Sequence, residues 1–137
     1  MMREKILSYA KKTYGTLPDK PWKKYPENEV LRHEDNRKWY GLIFPVKRKN
    51  LGLSGDGVVI ILNVKCDPMA GFALREMDGI FPAYHMNHTE WISILLDGTV
   101  PEEEIYPLLD MSYVLTASKK KKEKIRGHKE QGDLKDE

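Results

Sequence analysis

Five strand-patterned runs, most of them joined by hairpin-length connections, and three helical segments placed before, between and after them predict an α+β domain. The expected architecture is two-layer, a mainly antiparallel five-stranded sheet with helices on one face, in the order α-β-β-β-α-β-β-α. Three observations carry this expectation. Residues 3–14 and 101–117 bury one side at helical spacing, residues 58–64 form a β-branched apolar run, and Gly, Pro and Asp clusters punctuate the chain between them.

The first helix is predicted over 3–14, where Ile6, Leu7, Ala10 and Tyr14 share a face and Lys5, Lys11 and Lys12 lie off it. Gly15 is placed to end it, because glycine enters the left-handed conformation of a helix C-terminus without a Cβ clash. Pro18, Pro21 and Pro26 make 17–26 a connection. Strands follow at 29–34 and 39–47, around the turn 35–38, with Tyr40, Leu42, Phe44 and Val46 expected on one side of the second. Pro45 donates no ladder hydrogen bond, so that strand should meet an edge or a bulge there. Gly52, Gly55 and Gly57 mark 48–57 as a long mobile hairpin tip. The run 58–64 reads as a central strand covered on both faces.

Asp67-Pro68 is a helix start, a carboxylate for free amides followed by proline at the first helical position, and the helix should reach Met77. Strands at 80–86 and 91–96 come next, joined through 87–90. Thr99 and Glu102 have capping-box spacing, and Glu102, Glu103 and Glu104 suit a helix N-terminus. Pro107 is expected to divide that last helix into a turn at 101–106 and a segment at 107–117. Residues 1–117 thus form one domain. Residues 118–137 read as a basic tail, disordered or a frayed helical extension.

The chain of 137 residues has one cysteine, Cys66, which rules out an internal disulfide and any cysteine-based zinc site. It has no apolar run of membrane-spanning length, and its N-terminus lacks the apolar core of a signal peptide, so a cytoplasmic protein with no membrane partner is expected. The net charge of +2 conceals an asymmetry. Residues 1–65 hold 14 Lys and Arg against 7 Asp and Glu, whereas residues 66–117 hold one against 9. A fold that segregates the two stretches would present one basic surface.

Candidate chemistry falls in two places. Tyr84, His85, Asn87, His88 and Glu90 have the residue types of a metal or catalytic centre, but on a strand end and turn His85 and His88 point apart. Groups that satisfy buried backbone at a strand connection are the favoured reading. Cys66 precedes a helix N-terminus, which lowers a thiol pKa, and it also ends an apolar strand, where a buried cysteine is ordinary. No phosphate-cradling glycine loop or nucleophile elbow is present, so no catalytic residue, metal or cofactor is assigned and no enzyme is expected. The second place is the basic half. Lys23, Lys24, Arg37, Lys38, Lys47, Arg48 and Lys49 sit in turns and hairpin tips, with Trp22, Trp39 and Tyr40 among them as stacking candidates or as core.

Several stretches together resemble one known family. They are Trp22-Lys23-Lys24-Tyr25-Pro26, Leu31-Arg32-His33-Glu34 with Asp35-Asn36-Arg37-Lys38-Trp39-Tyr40, and Leu62-Asn63-Val64-Lys65-Cys66-Asp67-Pro68. Pro82-Ala83-Tyr84-His85-Met86-Asn87, Trp91 through Gly98, and Ser112-Tyr113-Val114-Leu115-Thr116 complete the set. The chain is similar over residues 3–117 to the MmcQ/YjbR family, with Tyr84, His85, Asn87 and Trp91 as its most specific marker. The resemblance implies a frataxin-like or secretion-chaperone-like fold and DNA binding, the latter by likeness to a double-wing domain. The functional expectation is a non-enzymatic module that contacts DNA phosphates without sequence preference through the basic turns and hairpins. The alternatives are a protein-interaction or chaperone-like module, whose partner is another protein, and a small-molecule or metal site near Tyr84, His85 and Asn87.

Overall fold

The computed structural model describes residues 1–135, with side chains described to residue 127. The chain runs through α1 (Met2–Tyr14), β1 (Glu29–Arg32), β2 (Trp39–Lys47), a 3-10 turn (Arg48–Leu51), β3 (Val58–Lys65) and α2 (Pro68–Leu74). It continues through β4 (Ile80–Pro82), β5 (Trp91–Leu95), α3 (Glu102–Thr116) and α4 (Lys119–Lys135). All neighbouring strands are antiparallel, in the spatial order β1-β2-β3-β5-β4. The α+β architecture and the order of the first eight predicted elements are those expected. Among the described residues no helix is long and apolar enough to cross a membrane.

Local chemistry sets several boundaries as predicted. Gly15 ends α1 at φ 69°, its N–H donating to the Lys11 carbonyl at 2.9 Å. The Asp67 carboxylate accepts from the amides of Met69 and Ala70, with Pro68 in the first turn of α2. Pro45 lies beyond the reach of β1, whose pairing stops at Glu29–Ile43, so its missing N–H faces no lost ladder partner on that side.

Several expectations need correction. The predicted strand 80–86 stops at Pro82, two residues before the turn at Tyr84, and α2 stops at Leu74, where the chain passes into tighter turns in which the Glu76 and Met77 amides donate to the Ala73 and Leu74 carbonyls. The capping box is not made: Pro101 is the N-cap of α3, and the Thr99 amide instead donates to Asp97. Helix α3 runs unbroken across Pro107. That proline deprives only the carbonyl of exposed Glu103, which water can satisfy, while Ile105 and Leu109 on either side are fully buried. The tail begins as helix, the second of the two readings given for it. The Ser118 hydroxyl accepts from the Lys121 amide and donates to Asp35, which supplies the cap that the composition does not advertise. The tail's last two residues lie outside the described ones.

One core lies between the sheet and the helices, with Ile6 and Ala10 of α1 and Ile105 and Leu109 of α3 against Leu62, Val64, Ile92 and Ile94. The opposite sheet face carries Val30, Leu42, Phe44, Val46, Ile61 and Leu95, and it is covered by loops through Trp22, Trp39, Leu51, Leu53 and Tyr84. Strand β3 therefore buries both faces, as its composition predicts. Tyr40 departs from the expected alternation. Leu31 pairs with Gly41 and Arg32 with Trp39, so Tyr40 is the extra residue of a β-bulge. The bulge turns its ring away from Leu42 and Phe44 into the helix-side core.

Candidate nucleic-acid interface

The loop-covered face is built around two buried polar side chains. Asn63 of β3 and Ser93 of β5 are cross-strand partners, both fully buried. The Ser93 hydroxyl donates to Asn63 Oδ1 at 2.5 Å and accepts from the Tyr84 amide at 2.9 Å, while Asn63 Nδ2 donates to the Tyr84 carbonyl at 3.0 Å. Both backbone groups of Tyr84 are thereby pinned to the sheet. His85 follows in the left-handed conformation at φ 64°, its ring 3.9 Å from that of Tyr84. The Tyr84 ring stacks towards Phe44 at 6.2 Å, and its hydroxyl accepts from Asn50 at 3.3 Å.

This turn forms one wall of a groove of about 680 Å³. The floor is the end of β2 that runs past β1, Phe44, Pro45 and Val46, and the loop bearing Tyr25 and Asn28 makes the opposite wall. Lys47 and Lys49 stand on its rim, and Lys24 sits over the Tyr25 ring at 5.8 Å. Among the described residues no carboxylate lines the groove. Lys24, Lys47 and Lys49 are exposed and make no ion pair among the described residues. Asp56, on the hairpin, borders a neighbouring concavity shared with the two rim lysines.

The basic residues singled out in the sequence do not form one cluster. Arg37 and Lys38 lie in the turn that begins β2, and Lys47 and Lys49 at its other end, separated by nine residues or about 26 Å of strand. Arg37 is 4.0 Å from Asp19 and shares it with Arg32. Arg48 is folded into its hairpin, donating to the Ser54 carbonyl at 2.7 Å. Lys23 is exposed on the loop between the two ends. The aromatic candidates are core: Tyr40 is fully buried, and Trp22 and Trp39 pack edge to face at 5.6 Å. The rings that border the groove among the described residues are Tyr25, Phe44, Tyr84 and His85. Tyr25 was legible only as the neighbour of Lys23 and Lys24.

At the Tyr84–Trp91 segment, Asn87 makes a local turn, its side chain accepting from the Thr89 amide and its carbonyl from the Trp91 amide. Among the described residues no three His, Cys, Asp or Glu side chains converge as a metal site would require. Cys66 is buried, and that burial raises its thiol pKa despite the helix that follows.

The matching of known proteins follows the same segments. The YjbR family profile covers residues 11–115. The chain belongs to the YjbR family. It is 50% identical over 116 residues to YyaQ, an uncharacterised protein of Bacillus subtilis (strain 168), spanning 85% of this chain and 98% of that one. YjbR of Escherichia coli (strain K12), also uncharacterised, is 34% identical over 53 residues, 38% of this chain and 45% of its own. A crystal structure of a Pseudomonas syringae protein superposes with a TM-score of 0.83 at 42% identity, covering 85% of this chain and all of that one. The Deinococcus radiodurans protein DR2400 gives 0.65 at 27% identity, covering 85% and 79%.

In this member of the family a second polar site ties α4 to the body. His33, 1% exposed, has Nε2 3.0 Å from the Tyr113 carbonyl and 2.9 Å from Thr116 Oγ1. Its Nδ1 accepts from Lys121 Nζ at 2.9 Å, and Lys121 also pairs with Asp35 at 3.3 Å. Burial first, and then the Lys121 ammonium, push His33 down to about 4. The folded state thus holds the imidazole neutral where the unfolded chain would protonate it. Stability is expected to be full above about pH 6.5 and to fall by on the order of 2–3 kcal/mol as pH drops towards about 4. Urea unfolding at about pH 7 and about pH 5 measures this, and His33→Gln should flatten the difference. An equal pH slope in both proteins would exclude His33 as its source.

Proposed function

We propose that the protein is a non-enzymatic nucleic-acid-binding module that holds phosphates at the groove rim. The observation that carries this reading is the placement of Lys47 and Lys49, which make no ion pair among the described residues, on a groove whose described lining holds no carboxylate, with Lys24 over the ring of Tyr25 in that lining. Cations without internal partners keep their full attraction for a polyanion, and each phosphate they neutralise releases counterions. Lys23 extends the same surface. Arg37 and Lys38, at the far end of β2, add a more distant contact for a ligand long enough to reach them.

Fluorescence anisotropy with random-sequence DNA at low salt tests the reading. Lys47→Glu/Lys49→Glu is expected to weaken binding at least about 10-fold and to reduce the slope of log affinity against log salt by about 2. Arg37→Glu/Lys38→Glu should have the smaller effect, because Arg37 already shares Asp19. Absence of low-salt binding by the intact chain would overturn the proposal. The competing protein-interaction reading has its own observation in Met69 and Phe72 of α2, 85% and 72% exposed. Phe72→Asp should leave DNA affinity unchanged, which separates the two surfaces.

A further inference from the structure

We infer that the groove is a nucleobase site, which takes an unstacked base of a single strand while the rim lysines hold the adjoining phosphates. This rests on the nucleic-acid reading above and goes beyond it, because phosphate contacts alone do not distinguish single strands from duplex. The inference comes from what lies between the cations. A surface built only for phosphates needs charge and donors, yet this groove has an apolar floor of Phe44, Pro45 and Val46. Rings stand on both of its walls: Tyr25, 52% exposed, on one side, and Tyr84 with His85 on the other. Its volume, about 680 Å³, lies within the range of about 300–1,000 Å³ typical of small-ligand pockets.

A base offers a π-face to such walls, and every base has one, so stacking there tolerates any sequence. Within a duplex those faces are covered by neighbouring bases and cannot enter. The stacking wall is also held in place before any ligand arrives. Asn63 and Ser93 fix both backbone groups of Tyr84, and the left-handed backbone at His85 carries the second ring against the first. A non-glycine residue in that region is an uncommon conformation, retained where surrounding structure enforces it. At the groove edge Asn50 spends one N–H on the Tyr84 hydroxyl at a long 3.3 Å, leaving its carbonyl oxygen and second N–H for a base edge.

The test uses the full chain and three labelled probes of about 15 nucleotides at matched ionic strength: oligo-dT, a random duplex, and an abasic strand with the same phosphates. Oligo-dT is expected to bind about 10-fold tighter than either of the others. Tyr25→Ala, in an exposed loop position where folding is spared, should remove most of that advantage, bringing the ratio of oligo-dT to duplex affinity close to one. Lys47→Glu/Lys49→Glu should weaken all three probes. Equal affinity for oligo-dT and the abasic strand would overturn the base site while leaving the phosphate reading intact. Loss of binding to every probe at low salt would overturn both. Displacement of oligo-dT by free dTMP at the concentrations at which the strand itself binds would overturn the strand as occupant, in favour of a mononucleotide.

Discussion

Asn63→Ala is expected to lower stability by about 3 kcal/mol. Asn63 is fully buried and serves two groups that have no other means of leaving water. Its amide donates to the Tyr84 carbonyl and accepts from the Ser93 hydroxyl. Truncation takes the donor from the Tyr84 carbonyl and the acceptor from the Ser93 O–H, which keeps only the bond it accepts from the Tyr84 amide, at about 1–3 kcal/mol for each buried unsatisfied group, and adds a cavity at the sheet centre. Against a total of about 5–15 kcal/mol for a typical domain this is a large fraction. Ser93→Ala should cost less, since a hydroxyl leaves a smaller void, and the double variant should cost at least about 1 kcal/mol less than the two single losses combined. Urea unfolding with unchanged m-value measures all three. A loss under about 0.5 kcal/mol for Asn63→Ala would mean that water replaces the side chain and that the Tyr84 turn is not pinned as described.

Tyr40→Ala is the other large effect, about 4 kcal/mol. Tyr40 is the bulkiest fully buried side chain, and its ring meets Tyr14 at 5.8 Å, Tyr113 at 5.0 Å and His33 at 5.3 Å. Aromatic-to-alanine truncations in cores cost about 3–5 kcal/mol. Tyr40→Phe keeps the ring and removes only the hydroxyl bond to Thr16 Oγ1 at 2.6 Å, so about 1 kcal/mol is expected. The contrast tests the bulge. A ring still aligned with Leu42 and Phe44 would lie under the loops, and its loss would loosen the groove face. In the observed arrangement Tyr40→Ala weakens the α1–sheet–α3 packing instead, and hydrogen exchange should rise first in those helices.

Much of the fold was legible because its signals are local. Gly15 ends α1 for the reason that makes any glycine a good C-cap, and Asp67-Pro68 starts α2 through amides two and three residues away. The alternation of β5 and the double-sided apolar pattern of β3 likewise depend on neighbours in sequence. What was not legible depends on pairing. A one-residue bulge between β1 and β2 reverses the facing of Tyr40, and no periodicity in β2 announces it. Pro107 reads as a break until Ile105 and Leu109 are seen buried on either side. Asn63 stood inside an apolar strand, and its purpose appears only when Ser93 and the Tyr84 backbone come within hydrogen-bonding distance of it. The Tyr84–Trp91 block was recognisable as a polar connection, but the residues that hold it lie outside it.

The sequence alone determined the α+β class, the order of elements, the family and the set of basic turns. The class and the order follow from periodicity, capping chemistry and composition, which act over a few residues, and the family from the likeness of its motifs. Tertiary structure decided which of those turns meet. The length of β2 carries Arg37 and Lys38 away from Lys47 and Lys49, and Ser54 and Asp19 draw off Arg48 and Arg37. Packing of the 22–28 loop on the sheet brings Tyr25 and Asn28 to the same groove as Lys47, Lys49 and Tyr84. Charges and rings act on a ligand through distance, and distances between residues far apart in the chain are set only once the sheet has paired and its loops have folded over it.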